Sequence, residues 1–158
     1  MPHIHDKIDF VVETYIVYKN TVLLRKHDKY KMWLSVGGHI ELHEDPNEAA
    51  VREVKEEVGL DVILHTEEGR QPAFGDYDQS LIPPQYLERH HINDIHEHIA
   101  FIYFATTQTN VLQLSAEEIT EECRWFTKEE LESNRDGITD KVQFYALKAL
   151  EDLSNMNY

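Results

Sequence analysis

The 158-residue chain is 41% hydrophobic and 28% charged, proportions of a globular domain with a sizeable core rather than a disordered segment. Its net charge of −15 and pI near 4.9 exclude the basic stripe with which a protein grips a nucleic-acid backbone, so the expected partner is small. A single cysteine, Cys123, forbids an intramolecular disulfide and reads as a small core residue on a strand.

The opening MPHIHDKIDF lacks a basic region followed by an apolar run, so it is not expected to be a signal peptide. No apolar stretch reaches the roughly 18 residues of a membrane span. Without repeats or a linker-like segment, one domain over residues 1–158 is expected, soluble and cytoplasmic. Phe10 to Tyr18 and Thr21 to Lys26, rich in β-branched and aromatic residues, predict a hairpin turning at Lys19-Asn20. Trp33 to Val36 predicts a short strand feeding Gly37-Gly38. A helix from about Pro46 to Val58 follows, with Asp45 as N-cap, proline at the first helical position, Glu48 closing a capping box and Gly59 as the left-handed stop. Asp61 to Thr66 reads as extended, and Glu67 to Asp94, with Pro72, Pro83 and Pro84, is poorly patterned. His96 to Thr106 and Cys123 to Phe126 read as strands, and Thr127 opens a capped helical turn with Glu130 at N3. In Thr139 to Leu153, the apolar positions Val142, Ala146, Ala149, Leu150 and Leu153 have the spacing of an amphipathic helix.

The chemistry concentrates in residues 38–60, GHIELHEDPNEAAVREVKEEVGL. At about 100° per residue, Ala50, Val54 and Val58 form one stripe while Glu53, Glu56 and Glu57 converge on another face. Like charges at these spacings repel, so the helix alone gains nothing from them. A hard divalent cation such as Mg²⁺ reverses the sign, because it takes oxygen ligands and is commonly completed by substrate phosphates. The plain alternative is a solvated acidic helix face. Against it, Gly38, Glu44, Arg52, Glu53, Glu56, Glu57 and Gly59, with apolar Val54 and Leu60, should coincide by chance on the order of one time in a million.

This pattern resembles the Nudix hydrolase box, with every fixed position filled. The resemblance implies an α/β (α+β) fold, the Nudix-type α/β/α sandwich with a mixed central sheet and a metal-binding loop-helix-loop. It also implies Mg²⁺- or Mn²⁺-dependent hydrolysis of a nucleoside diphosphate linked to another moiety, by water attack on phosphorus. On that resemblance Glu53, Glu56 and Glu57 are metal ligands, with Glu53 or a downstream loop glutamate a candidate base. Arg52 orients the carboxylates, Glu44 contributes charge or a water-mediated contact, and Gly37 offers a carbonyl beside Gly38. The family often has proline before the Gly-Gly pair, and this chain has Val36.

Four features outside the box have plain readings beside functional ones. Arg25 could contact substrate, or be a surface strand residue. Glu118 and Glu121 stand where the family often has a metal-binding or catalytic glutamate, in what could equally be a solvated charge run. His96 and His98 share a strand face, opposite to Glu97, and with His90 and His91 match no closed structural zinc pattern. His96 is instead a candidate for touching phosphate at a pocket mouth. Tyr77 stands where dinucleoside polyphosphate hydrolases of the family carry a tyrosine, and Pro72 misses the position of the proline that marks many ADP-ribose hydrolases.

The leading reading is therefore a pyrophosphohydrolase of small nucleotide derivatives such as nucleotide sugars, ADP-ribose or dinucleoside polyphosphates. A non-catalytic nucleotide-sensing module is the alternative, and it usually needs an output domain. A hydrolase of RNA 5′ ends is a third, disfavoured by the acidic charge. No membrane partner is expected, and the oligomeric state, a homodimer included, stays open.

Overall fold

A computed structural model describes residues 6–67, 74–116 and 122–156. In chain order the elements are β1 (Ile8–Tyr18), β2 (Thr21–Lys26), β3 (Trp33–Leu34), β4 (Val36–His39), α1 (Pro46–Val58), β5 (Val62–His65), β6 (Tyr86–Asn93), β7 (His96–Thr107), β8 (Glu122–Thr127), α2 (Lys128–Ser133) and α3 (Asp140–Leu153). They form the mixed sheet between helices that the box resemblance implied.

The two long strands β1 and β7 lie parallel at the centre, in register from Ile8 opposite Glu97 to Val17 opposite Thr106. Each shares its outer edge between two shorter antiparallel strands. On β1, β4 takes Val11 to Thr14 and β2 takes Ile16 to Tyr18. On β7, β6 takes the first half and β5 the second. The sheet therefore forks between β2 and β4, while β2 continues outward to β3 and β8.

Period-2 alternation along β1 divides the core. Val11, Tyr15 and Val17 face α3 and meet Val142, Tyr145, Ala146, Ala149, Leu150 and Leu153. Val12 and Ile16 face the other way, onto Ala49, Ala50, Val54 and Val58 of α1. The apolar stripes predicted for both helices are the buried ones. Each of these larger side chains contributes about 1.5–3 kcal/mol on leaving water.

Two segments depart from expectation. The Gly37-Gly38 pair is no loop: β4 runs through it, with Glu13 opposite Gly37 and Val12 opposite Gly38. β6 emerges from the region read as poorly patterned. It is an edge strand whose charged and imidazole side chains erase the apolar alternation by which strands are recognised, and it closes a hairpin onto β7 with an irregularity between His91 and Asn93. Cys123 lies on β8 as expected, although only half buried.

Candidate active site

The sequence fixes α1 at both ends. Asp45 accepts from the Glu48 backbone N–H at 2.9 Å, and the Glu48 carboxylate accepts from the Asp45 backbone N–H at 2.9 Å, completing the capping box. At the far end Gly59 takes φ 73° and donates to the Lys55 carbonyl, and a Cβ on it would meet Gln113. With both ends pinned, the faces presented by residues 52–57 are set.

Glu53 and Glu57 turn toward the fork in the sheet. One Glu57 carboxylate oxygen accepts from the Gly37 backbone N–H at 3.2 Å, and the other lies 3.0 Å from the Arg25 guanidinium. Glu53 is only 7% exposed and rests on β4 at Gly38, where an added Cβ would come within 2.4 Å of its Oε1. At Gly37 a Cβ would fall 1.9 Å from the Val12 carbonyl oxygen. The two glycines thus serve different ends: Gly37 lets β4 approach β1, and Gly38 lets a carboxylate approach β4. Val36, in place of the family's frequent proline, is fully buried in the cluster that holds Val54 and Val58.

Arg52 joins the remaining groups. Its Nε and Nη2 bind the two oxygens of Glu44 at 2.9 and 2.6 Å, and its Nη1 donates to Glu53 and to Glu56, each at 3.0 Å. Nη2 also donates to the His39 carbonyl at 3.0 Å. Hydrogen bonding to Arg52 holds the Glu44 carboxyl below its ordinary range, and the same contacts drive the guanidinium further from deprotonation. Burial pushes the Glu53 carboxyl up, a rise that Arg52 only partly offsets. The predicted convergence of three carboxylates is therefore uneven. Glu53 and Glu57 are enclosed, whereas the Glu56 side chain is 60% exposed and joins them through Arg52. An open groove of about 790 Å³ adjoins this rim, lined by Val51, Arg52, Lys55, Glu56, Ile63 and Ile82.

Arg25 is no idle surface residue, since it is buried against Glu57. His96 is not at a pocket mouth: it is 6% exposed, with Nε2 3.2 Å from a carboxylate oxygen of buried Asp9. Parallel pairing of β1 with β7 carries it inward, a long-range relation that strand alternation alone does not reveal. Tyr77 is fully exposed and contributes to neither grouping. Glu118 and Glu121 lie outside the described residues. Glu97 stands apart from His96 and His98 as expected, bound by Arg89 and by His91 at 3.1 Å. Sequence reading missed Asp9 and His39. The signal for Asp9 was an acid inside an apolar strand, and for His39 there was none beyond adjacency to the glycine pair.

Comparison with known proteins bears on this geometry. A NUDIX domain family model matches residues 13–147. A NUDIX-family hydrolase from Clostridium perfringens has a solved structure that is 33% identical, with a TM-score of 0.78 over 92% of this chain and 97% of that one. At 18% identity, a NUDIX hydrolase from Nitrosomonas europaea and a MutT NUDIX hydrolase from Burkholderia pseudomallei share the fold, each with a TM-score of 0.61 over 94% of this chain, covering 73% and 99% of their own chains. No curated protein matches. A box whose helix, glycine pair and arginine clamp all close on one fork of the sheet, in a chain matched over most of its length, places this protein in the Nudix family, as a hydrolase of pyrophosphate bonds.

Proposed function

We propose that the enzyme hydrolyses the pyrophosphate linkage of a nucleoside diphosphate joined to another moiety, of the nucleotide-sugar, ADP-ribose or dinucleoside polyphosphate type, by water attack on phosphorus. The observation that carries this reading is the enclosure of Glu53 and Glu57 where β2, β4 and α1 meet. The donor set fits Mg²⁺ or Mn²⁺: carboxylates and a backbone carbonyl, without sulfur, gathered where two arginines already supply compensating positive charge. Glu53, Glu56, Glu57 and the carbonyl of Gly37 would hold the ion, with Gly38 leaving room for Glu53. When bound, such an ion neutralises phosphate oxygens and lowers the pKa of water.

The chain's own residues do the rest. Arg52 fixes Glu44, Glu53 and Glu56 in one array, so the reacting groups are positioned before substrate arrives. Arg25 and the Gly37 amide hold Glu57 in a single orientation. Glu53, enclosed beside Gly38 and oriented by Arg52, is the candidate to take a proton from the attacking water. Glu118 and Glu121 keep the role that the family resemblance implies for them, as a further base or metal ligand. The strongly acidic chain suits a small substrate in the cytoplasm rather than a polymer.

The test is release of phosphate or mononucleotide from a panel of ADP-ribose, nucleotide sugars, dinucleoside polyphosphates, dinucleotide cofactors and nucleoside triphosphates, with Mg²⁺, Mn²⁺ or chelator, beside Glu57→Gln. Metal-dependent turnover that the variant loses identifies the substrate class. Binding without turnover across the panel would replace this reading with a sensing module.

A further inference from the structure

On the α3 side of the sheet, away from Glu53 and Glu57, a second group of ligating side chains converges. Asp9 shares its side of β1 with Val11 and Tyr15, and it is 1% exposed. His98 is its register partner on the parallel neighbour β7, and His39 extends from the end of β4. One carboxylate oxygen of Asp9 and one ring nitrogen from each histidine all lie within 4.8 Å of one another. His96 adds a fourth group, its Nε2 3.2 Å from Asp9 Oδ2, the same distance as His39 Nε2. The rings stand edge to face, His39 and His98 at 80° with centroids 5.3 Å apart, His96 and His98 at 90° and 5.2 Å.

Two readings compete. In the first, Asp9 is a buried acid satisfied by imidazolium partners. That accounts for His39 and His96 and leaves His98 aside, whose Nε2 is enclosed by protein with no hydrogen-bond partner among the described residues. A buried ring nitrogen without a partner is costly, and each such atom calls for a reason. In the second, the nitrogens and the carboxylate surround one cation. Ligand-to-ligand edges in tetrahedral zinc are about 3.3 Å, close to the two Asp9–histidine separations. The other three-membered group with this spacing among the described residues, Glu13, Glu88 and His90, is already filled: the Lys141 ammonium lies 3.6 Å from Glu13 and contacts Glu88, and the Tyr145 hydroxyl donates to Glu88 at 2.7 Å.

We propose that Asp9, His39 and His98, with His96 on the same carboxylate, form a second metal site, selective for a borderline transition ion of the Zn²⁺ class and separate from the carboxylate site of the Nudix box. Mixed imidazole and carboxylate donors favour Zn²⁺, Co²⁺ or Ni²⁺ over Mg²⁺, which prefers oxygen throughout. The ion would tie together β1, β4 and β7. Its ligand His39 follows Gly38 directly along β4, and the His39 carbonyl is held by Arg52.

The experiment uses untagged, chelator-stripped protein in excess Mg²⁺, titrated with Co²⁺ and then displaced with Zn²⁺, following the visible Co²⁺ spectrum and stoichiometry. The expected result is one equivalent with the intense bands of a four-coordinate nitrogen and oxygen site. His98→Gln and Asp9→Asn should each weaken binding by about tenfold or more, while Glu57→Gln leaves it unchanged. Absence of these bands in the unaltered protein would overturn the proposal without any variant. Equal affinity and spectrum in a folded His98→Gln protein, or loss of the bands in Glu57→Gln, would overturn it as well.

Discussion

Arg25 reaches across from β2 to stand 3.0 Å from Glu57 on α1, with the two side chains only 10% and 12% exposed. A strand residue thus pairs with a box carboxylate that Arg52 does not reach, and two guanidinium groups, one from β2 and one from α1, offset part of the charge of the four carboxylates.

Arg25→Ala is expected to destabilise the chelated protein by about 1–3 kcal/mol, because a mostly buried carboxylate loses its ionic partner. Added Mg²⁺ should raise the melting temperature more in the variant than in the parent, since the ion supplies the missing positive charge. An unchanged melting curve in chelator would refute the argument.

Gly37→Ala and Gly38→Ala should fail differently. The first drives a Cβ into the Val12 backbone and should cost several kcal/mol through loss of β1–β4 pairing, seen as poor expression or a large fall in melting temperature. The second presses on the movable Glu53 carboxylate, and should keep the fold while lowering kcat about 10-fold to 100-fold. Equal effects of the two substitutions on stability would contradict the distinction.

Glu44 gives a pH signature. Its folded carboxyl is held below the unfolded value of about 4.3 by Arg52, so it contributes stability that is present above that value and lost as pH falls through the folded value. Glu44→Gln should lower stability at neutral pH and flatten the acid limb of the stability curve. Denaturant titrations from pH 7 to pH 3 measure this, and parallel curves for the two proteins would be the adverse outcome.

Glu53 has the opposite sign. Its folded carboxyl is raised by burial, so the ionised form opposes folding above the folded value and ceases to do so as pH drops to the unfolded one. Glu53→Gln should therefore raise the melting temperature of chelated protein at neutral pH, with the gain vanishing in acid, while turnover falls by about 100-fold or more. A variant melting lower than its parent at neutral pH would show that the carboxylate is better solvated than its burial implies.

Local signals were legible in the sequence. Asp45, Pro46, Glu48 and Gly59 fixed the bounds of α1 because caps act within a turn of the chain, and the box spacing located the carboxylates because the helical period is regular. What depended on strand pairing was not legible. That Arg25 faces Glu57, that β4 crosses Gly37-Gly38, and that Asp9 meets His39, His96 and His98 all follow from register between distant strands. β6 was hidden for a related reason: its partner β7 supplies the apolar surface, so its own residues need not alternate.

The parallel ladder that joins Ile8 to Glu97 and Val17 to Thr106 has a kinetic consequence. The hairpin β1–β2 and the helix α1 are local and form early, but their apolar faces stay open until the chain as far as Thr107 has closed a long loop. Folding should therefore be limited by the docking of β7. The amides of β1 and β7 should exchange with solvent only through global unfolding, while those of edge strand β6 exchange through smaller openings.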